Sequence, residues 1–161
     1  MKNKLIISAT GPDRKGIVSE ISSIINKYNG NIETSRMIRL QEQFSILLLI
    51  ELKIKKIEDL KKEIEKINDL KVETNTTSSK NKIYQNKFHL YIKGADNEGI
   101  VYSFSNYFSK LNINIEEVST SIKNAPMSAT PLFMMDLIIT TSIEIDENII
   151  IKDLNKIFEK L

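Results

Sequence analysis

No cysteine occurs among the 161 residues. That absence excludes disulfides, zinc fingers, iron–sulfur clusters and thiol catalysis together. It is compatible with the cytosol, and a cytoplasmic location is expected. Long hydrophobic runs are missing as well. None approaches the ~20 apolar residues that a bilayer span requires, so no membrane association is expected. The opening Met1-Lys-Asn-Lys-Leu-Ile-Ile-Ser-Ala9 has only a short apolar segment and runs into Gly11-Pro-Asp-Arg14, which reads as a strand and not as a signal peptide. A strong charge of one sign is absent too. Net charge is +2 with both signs interspersed, too little to grip a phosphate backbone, and no direct nucleic-acid contact is expected. The lone histidine, His89, lies on a predicted strand at the parity opposite Phe88 and Leu90, without the companions that catalysis needs.

What the chain does have is a loop that occurs twice. Gly11-Pro-Asp-Arg-Lys-Gly16-Ile-Val returns as Gly94-Ala-Asp-Asn-Glu-Gly99-Ile-Val. Each follows an apolar run read as a strand, residues 4–10 and then Phe88, Leu90 and Ile92. Each precedes a helical stripe: Ile17, Val18, Ile21, Ile24, Ile25 and Tyr28 in one half, and Ile100, Val101, Phe104, Tyr107, Phe108 and Leu111 in the other. Between Gly11–Glu33 and Gly94–Glu116 the offset stays at 83 without a gap. Shared hydrophobicity explains coincident isoleucines, but not two glycines and an aspartate in register, so a duplicated domain is inferred.

In the first half, Asn29-Gly30-Asn31 ends the helix. Residues 32–40 and 43–52 read as strands around a Gln41-Glu42 turn, the second covered on both faces. Ile57, Leu60, Ile64 and Ile67 mark another helix, and residues 70–74 a fourth strand. The order β-α-β-β-α-β predicts an α+β, ferredoxin-like fold, an antiparallel four-stranded sheet with both helices on one face. Residues 75–86 are polar and turn-forming. Domains are expected at 1–76 and 87–161, joined by a linker at 77–86. In the second copy, Lys123–Pro131 reads as an ordered loop. Ile150, Ile151, Leu154, Ile157, Phe158 and Leu161 form its second helix, and no fourth strand follows. One sheet edge, Phe88–Lys93, is then expected to be covered by a partner chain, or the natural protein to continue past Leu161.

Gly-x-Asp-x-x-Gly at a strand-to-helix junction has two readings. In one, Asp13 and Asp96 cap the following helix, and Gly16 and Gly99 lie in its first turn; the loops are then only tight turns. In the other, free N–H groups and the helix dipole hold a ligand carboxylate while the aspartate receives an ammonium, which matches a free amino acid. A P-loop is ruled out because Ile17-Val18 replaces Lys-Ser/Thr, and a Rossmann fingerprint because Gly-x-Gly is missing. Of the three arginines, Arg14 is placed to clamp an anion or simply to be solvated. Arg36 and Arg39 fall on opposite faces of one strand.

Gly11-Pro-Asp-Arg-x-Gly-Ile-Val, Asn31-Ile-Glu-x-Ser-Arg-Met37, Phe44-Ser-Ile-Leu-Leu-Leu-Ile-Glu51 and, in the second half, Ala129-Thr-Pro-Leu-Phe-Met-Met-Asp136 resemble tandem ACT domains of the glycine cleavage system transcriptional repressor type. The resemblance implies a non-enzymatic regulator without a cofactor. ACT domains pair side by side and bind a small ligand, commonly an amino acid, near the β1–α1 loop, so a homo-oligomer is expected. Repressors of this type act through a transcription activator, a contact that glycine weakens. The ligand residues implied are Gly11, Asp13, Arg14, Gly16, Ile17 and Asn31, with Gly94, Asp96, Gly99, Ile100 and Asn114 in the second copy. The family commonly has Arg-Pro before the second glycine. Here Lys15 and Asn97-Glu98 depart from that pattern, so the first loop is expected to bind better. The alternatives are a regulatory subunit or interaction module for a metabolic enzyme, and an acylphosphatase-like enzyme. The last shares the topology, but only Arg14 matches its requirements.

Overall fold

The computed structural model describes residues 2–77, 86–124 and 130–160. Its contacts divide the chain into two units, Met1–Asn81 and Lys82–Leu161. The first contains β1 (Lys2–Pro12), α1 (Ile17–Lys27), β2 (Asn31–Leu40), β3 (Gln43–Lys53), α2 (Ile57–Ile64) and β4 (Lys71–Thr77). Its sheet has the order β2-β3-β1-β4, with antiparallel pairing throughout. This is the predicted ferredoxin-like arrangement.

Strand alternation builds the core from below. Leu5, Ile7 and Ala9 of β1 and Ile46, Leu48, Ile50 and Leu52 of β3 point to one face and are buried. Ile17, Ile21 and Ile25 of α1 and Leu60 and Ile64 of α2 close over them. Each such leucine or isoleucine contributes roughly 1.5–3 kcal/mol by leaving water. The helix α1 ends where Asn29 takes a left-handed φ of 56°, with Gly30 N–H donating to the Ile25 carbonyl at 2.9 Å.

Three expectations are corrected here. Helix α2 stops at Ile64, and Ile67 is buried from the turn that follows. Residues 75–77, expected outside the strand, belong to β4 because β1 offers partners as far as Lys4. β3 is not covered on both faces within this unit: Leu47 is exposed and Leu49 half-buried, since both helices lie on the other side.

The second unit contains β5 (Asn86–Ala95), α3 (Ile100–Lys110), β6 (Asn114–Asn124), β7 (Pro131–Thr141) and α4 (Glu147–Phe158), with sheet order β5-β7-β6. The duplication is carried into its details at the same offset. Ile100, Phe104 and Phe108 bury the positions of Ile17, Ile21 and Ile25, and Asn112 repeats the left-handed Asn29. The β-bulge between Ile32 and Thr34 recurs between Ile115 and Glu117. Ion pairs repeat as well: Lys4–Glu33 at 2.7 Å and Lys87–Glu116 at 2.9 Å. The repeated Asn-Ile-Glu therefore has a structural cause, because the bulge turns its glutamate toward a lysine two strands away. Of the linker expected at 77–86, Thr77 ends β4 and Asn86 opens β5, and of the loop expected at Lys123–Pro131, Lys123 and Asn124 belong to β6 and Pro131 to β7; residues 78–85 and 125–129, and Leu161, lie outside the described residues. Among the described residues, no helix is long and apolar enough to cross a membrane.

Candidate functional site

The first β1–α1 loop is held from both sides. Gly11 pairs opposite Phe44 at the end of β1, and Asp13 N–H donates to the Glu42 carbonyl at 2.7 Å. After Lys15 the chain reaches Gly16, whose φ of 90° reverses its direction and starts α1. Gly99 does the same for α3 with φ 80°. A Cβ at either position would meet nothing, so backbone conformation is what demands glycine there.

The expected aspartate caps are not formed. Gly16 and Gly99 are the N-cap residues, and no side chain caps α1 or α3. Asp13 and Asp96 stand three residues before these caps, too far back along the turn to reach the first N–H groups. The first bond within α1 runs from Glu20 N–H to the Gly16 carbonyl at 2.8 Å. The N–H groups of Ile17, Val18 and Ser19 thus have no helical acceptor. They border an open depression of about 480 Å³ lined by Asp13, Arg14, Gly16, Ile17, Val18, Ser19 and Phe44. An uncapped helix start, a positive dipole end and one carboxylate meet there.

Arg14 is engaged within the protein. Its Nη2 donates to Asp69 Oδ1 at 3.0 Å and to Glu20 Oε2 at 2.6 Å, and its Nε also donates to Asp69. Asp69, in the turn before β4, and the first turn of α1 are thereby tied to the loop. These hydrogen bonds raise the guanidinium pKa and hold the Asp69 carboxyl below its ordinary value. Because the folded Asp69 pKa is depressed, its stabilising effect is complete above the unfolded value of about 3.9 and is lost as pH falls through the folded one. Asp69→Asn is therefore expected to lower the urea midpoint at pH 7 and to lower it less near pH 2, because the contribution of the depressed carboxyl shrinks as pH falls below the unfolded value of about 3.9. Equal losses at both pH values would contradict this.

The other expected residues are distributed as follows. Gly11 is buried, and a Cβ on it would overlap the Asp69 carbonyl oxygen. Asp13 Oδ2 lies 3.7 Å from Arg39 Nη1. Ile17 is core, 2% exposed. Asn31 opens β2 opposite Glu51, away from the depression. In the second unit, Gly94 lies under the Phe158 ring, Asp96 is exposed, Ile100 is buried, and Asn114 Nδ2 donates to Thr140 Oγ1 at 3.4 Å. The structure thus gathers Asp13, Arg14, Gly16 and Ile17 around one depression and leaves Gly11 and Asn31 out of its lining. Val18, Ser19 and Phe44 were missed as lining residues. The first two were legible as the positions directly after a helix-starting glycine, whereas Phe44 required the strand register. Among the described residues, no group of three or more histidine or acidic side chains is placed to hold a metal ion.

Comparison with known proteins agrees with this architecture. Residues 3–76 match the family model of the ACT domain. A crystal structure of an unknown protein from Galdieria sulphuraria superposes with a TM-score of 0.78 at 24% identity, covering 99% of this chain and 91% of that one. A candidate glycine cleavage system transcriptional repressor superposes with a TM-score of 0.62 at 21% identity, covering 99% and 90%. The UPF0237 protein of Methanopyrus kandleri is 35% identical over 49 residues, 30% of this chain. The chain spans about half, 54%, of the length of that curated relative. The first unit is an ACT domain, and the second repeats its fold with a three-stranded sheet, giving the chain a tandem ACT-type architecture.

Proposed function

We propose that the chain is a non-enzymatic regulatory protein that responds to a free amino acid and acts through a protein partner, in the manner of a glycine cleavage system transcriptional repressor. The observation that carries the ligand reading is the uncapped start of α1 opening into a depression beside Asp13. A ligand carboxylate there receives hydrogen bonds from the Ile17–Ser19 amides, and the helix dipole adds roughly 0.3–2 kcal/mol. The ligand ammonium faces the Asp13 carboxylate. Arg14 keeps the loop in shape through Asp69 and Glu20 and does not contact the ligand.

The repressor type is supported by the first-half motifs and by a two-unit plan shared with the fold neighbour, which is a likeness of fold. Self-association is supported by β2, an edge strand whose Ile38 and Leu40 are 53% and 66% exposed. Ligand binding needs to shift the partner surface by only about 1–3 kcal/mol to regulate usefully. Calorimetric titration with glycine, serine and the other common amino acids is expected to show saturable binding, weakened about ten-fold by Asp13→Ala, the loss of one charge-assisted contact. No heat with any amino acid would remove the sensor reading.

A further inference from the structure

In the first unit β4 covers the outer edge of β1, and Leu5, Ile7 and Ala9 beneath it are at most 2% exposed. Their counterparts at offset 83 are Phe88, Leu90 and Ile92, and all three are only half-buried. Among the described residues β5 is a sheet edge, with a ladder to β7 alone. Two depressions of about 380 and 320 Å³ follow this edge between β5 and α4. Leu90 and Ile151 line both, so the two form one groove, and Ile151 is 51% exposed on its rim.

We propose that this groove accepts an extended segment of a protein partner, added antiparallel to β5 as a further strand, with apolar side chains alternating with carboxylates. The first unit supplies the template, where β4 lies on β1 from Lys4↔Thr77 to Thr10↔Lys71. Strand addition satisfies the edge N–H and C=O groups and drops alternate side chains into a pocket row. Side chains turned toward α4 meet Leu90, Ile92 and Ile151. Those on the other face meet the exposed row Lys87, His89, Tyr91 and Lys93. Lys87 is paired with Glu116 and His89 with Asp136, and Lys93 has no ion pair among the described residues. A carboxylate opposite Lys93 completes the row.

Charge also argues against a second copy of β5 as the occupant. Two antiparallel β5 strands overlapping across residues 87–93 place Lys87 opposite Lys93 twice, and like charges so opposed destabilise a ladder. The proposal is independent of the amino-acid site, which lies in the other unit.

The test follows amide hydrogen exchange in the 161-residue chain with a synthetic peptide alternating valine and glutamate, and with its valine–lysine analogue. With the glutamate peptide, β5 amides facing away from β7 are expected to slow at least ten-fold. Ile151→Asp, at an exposed position, is expected to weaken this peptide at least ten-fold, and Lys93→Glu to reverse the preference between the two peptides. Equal response to both peptides, or no slowing with either, would overturn the proposal. So would β5 amides already slow without peptide in a chain whose scattering mass is that of a dimer.

Discussion

Gly11→Ala is expected to destabilise the first unit by about 3 kcal/mol, at the upper end of overpacking costs. The added Cβ overlaps the carbonyl oxygen of Asp69 and the Leu70 side chain. A backbone carbonyl cannot rotate away as a side-chain tip can, and Arg14 grips Asp69 through two nitrogens, so the turn before β4 cannot recede cheaply. Gly94→Ala is the internal control. There the three atoms nearest the new Cβ all belong to the Phe158 ring, at the last residue of α4, where a rotamer change gives relief at about 1 kcal/mol. Urea unfolding followed separately on amides of each unit measures both. A larger loss at Gly94 than at Gly11 would show that the loops are not held as described.

Ser19→Asp is expected to abolish at least nine-tenths of amino-acid affinity while leaving stability unchanged or slightly raised. Ser19 is the third residue of α1, exposed, and lines the depression. An aspartate there sits in the first helical turn, where a negative charge is favoured by about 0.3–1 kcal/mol. Its carboxylate occupies the free amides and repels a ligand carboxylate aimed at them. The helix gains and the site loses, a combination that general damage to the fold cannot produce. Calorimetry beside thermal unfolding separates the two effects. Full binding by Ser19→Asp would remove the α1 amides from the site.

The fold was legible because two independent patterns agreed. Period-2 alternation over Phe44–Ile50 and a 3.6-residue stripe over Ile17–Ile25 each locate one face, and the repeat shows both twice. That β5 ends its sheet among the described residues followed from counting strands in the second copy. The site was less legible, since its chemistry depends on distances across the sheet. Asp13 has the right composition for a cap, but a left-handed Gly16 places the helix start out of its reach. Arg14 resembles an anion clamp, yet Asp69, 55 positions away, already binds it. Glu33 and Glu116 recur in register in the sequence, but only the paired strands show that they reach Lys4 and Lys87. The partners of such polar groups are set by register and loop conformation, which composition does not encode.

The most direct test of the central claim is an amide chemical-shift titration of the chain with glycine and the other common amino acids. The amides of Ile17, Val18 and Ser19 are expected to shift together and saturably, ahead of those of Ile100, Val101 and Tyr102 in the second loop. Saturable shifts confined to the second loop, or none in either loop, would contradict the account.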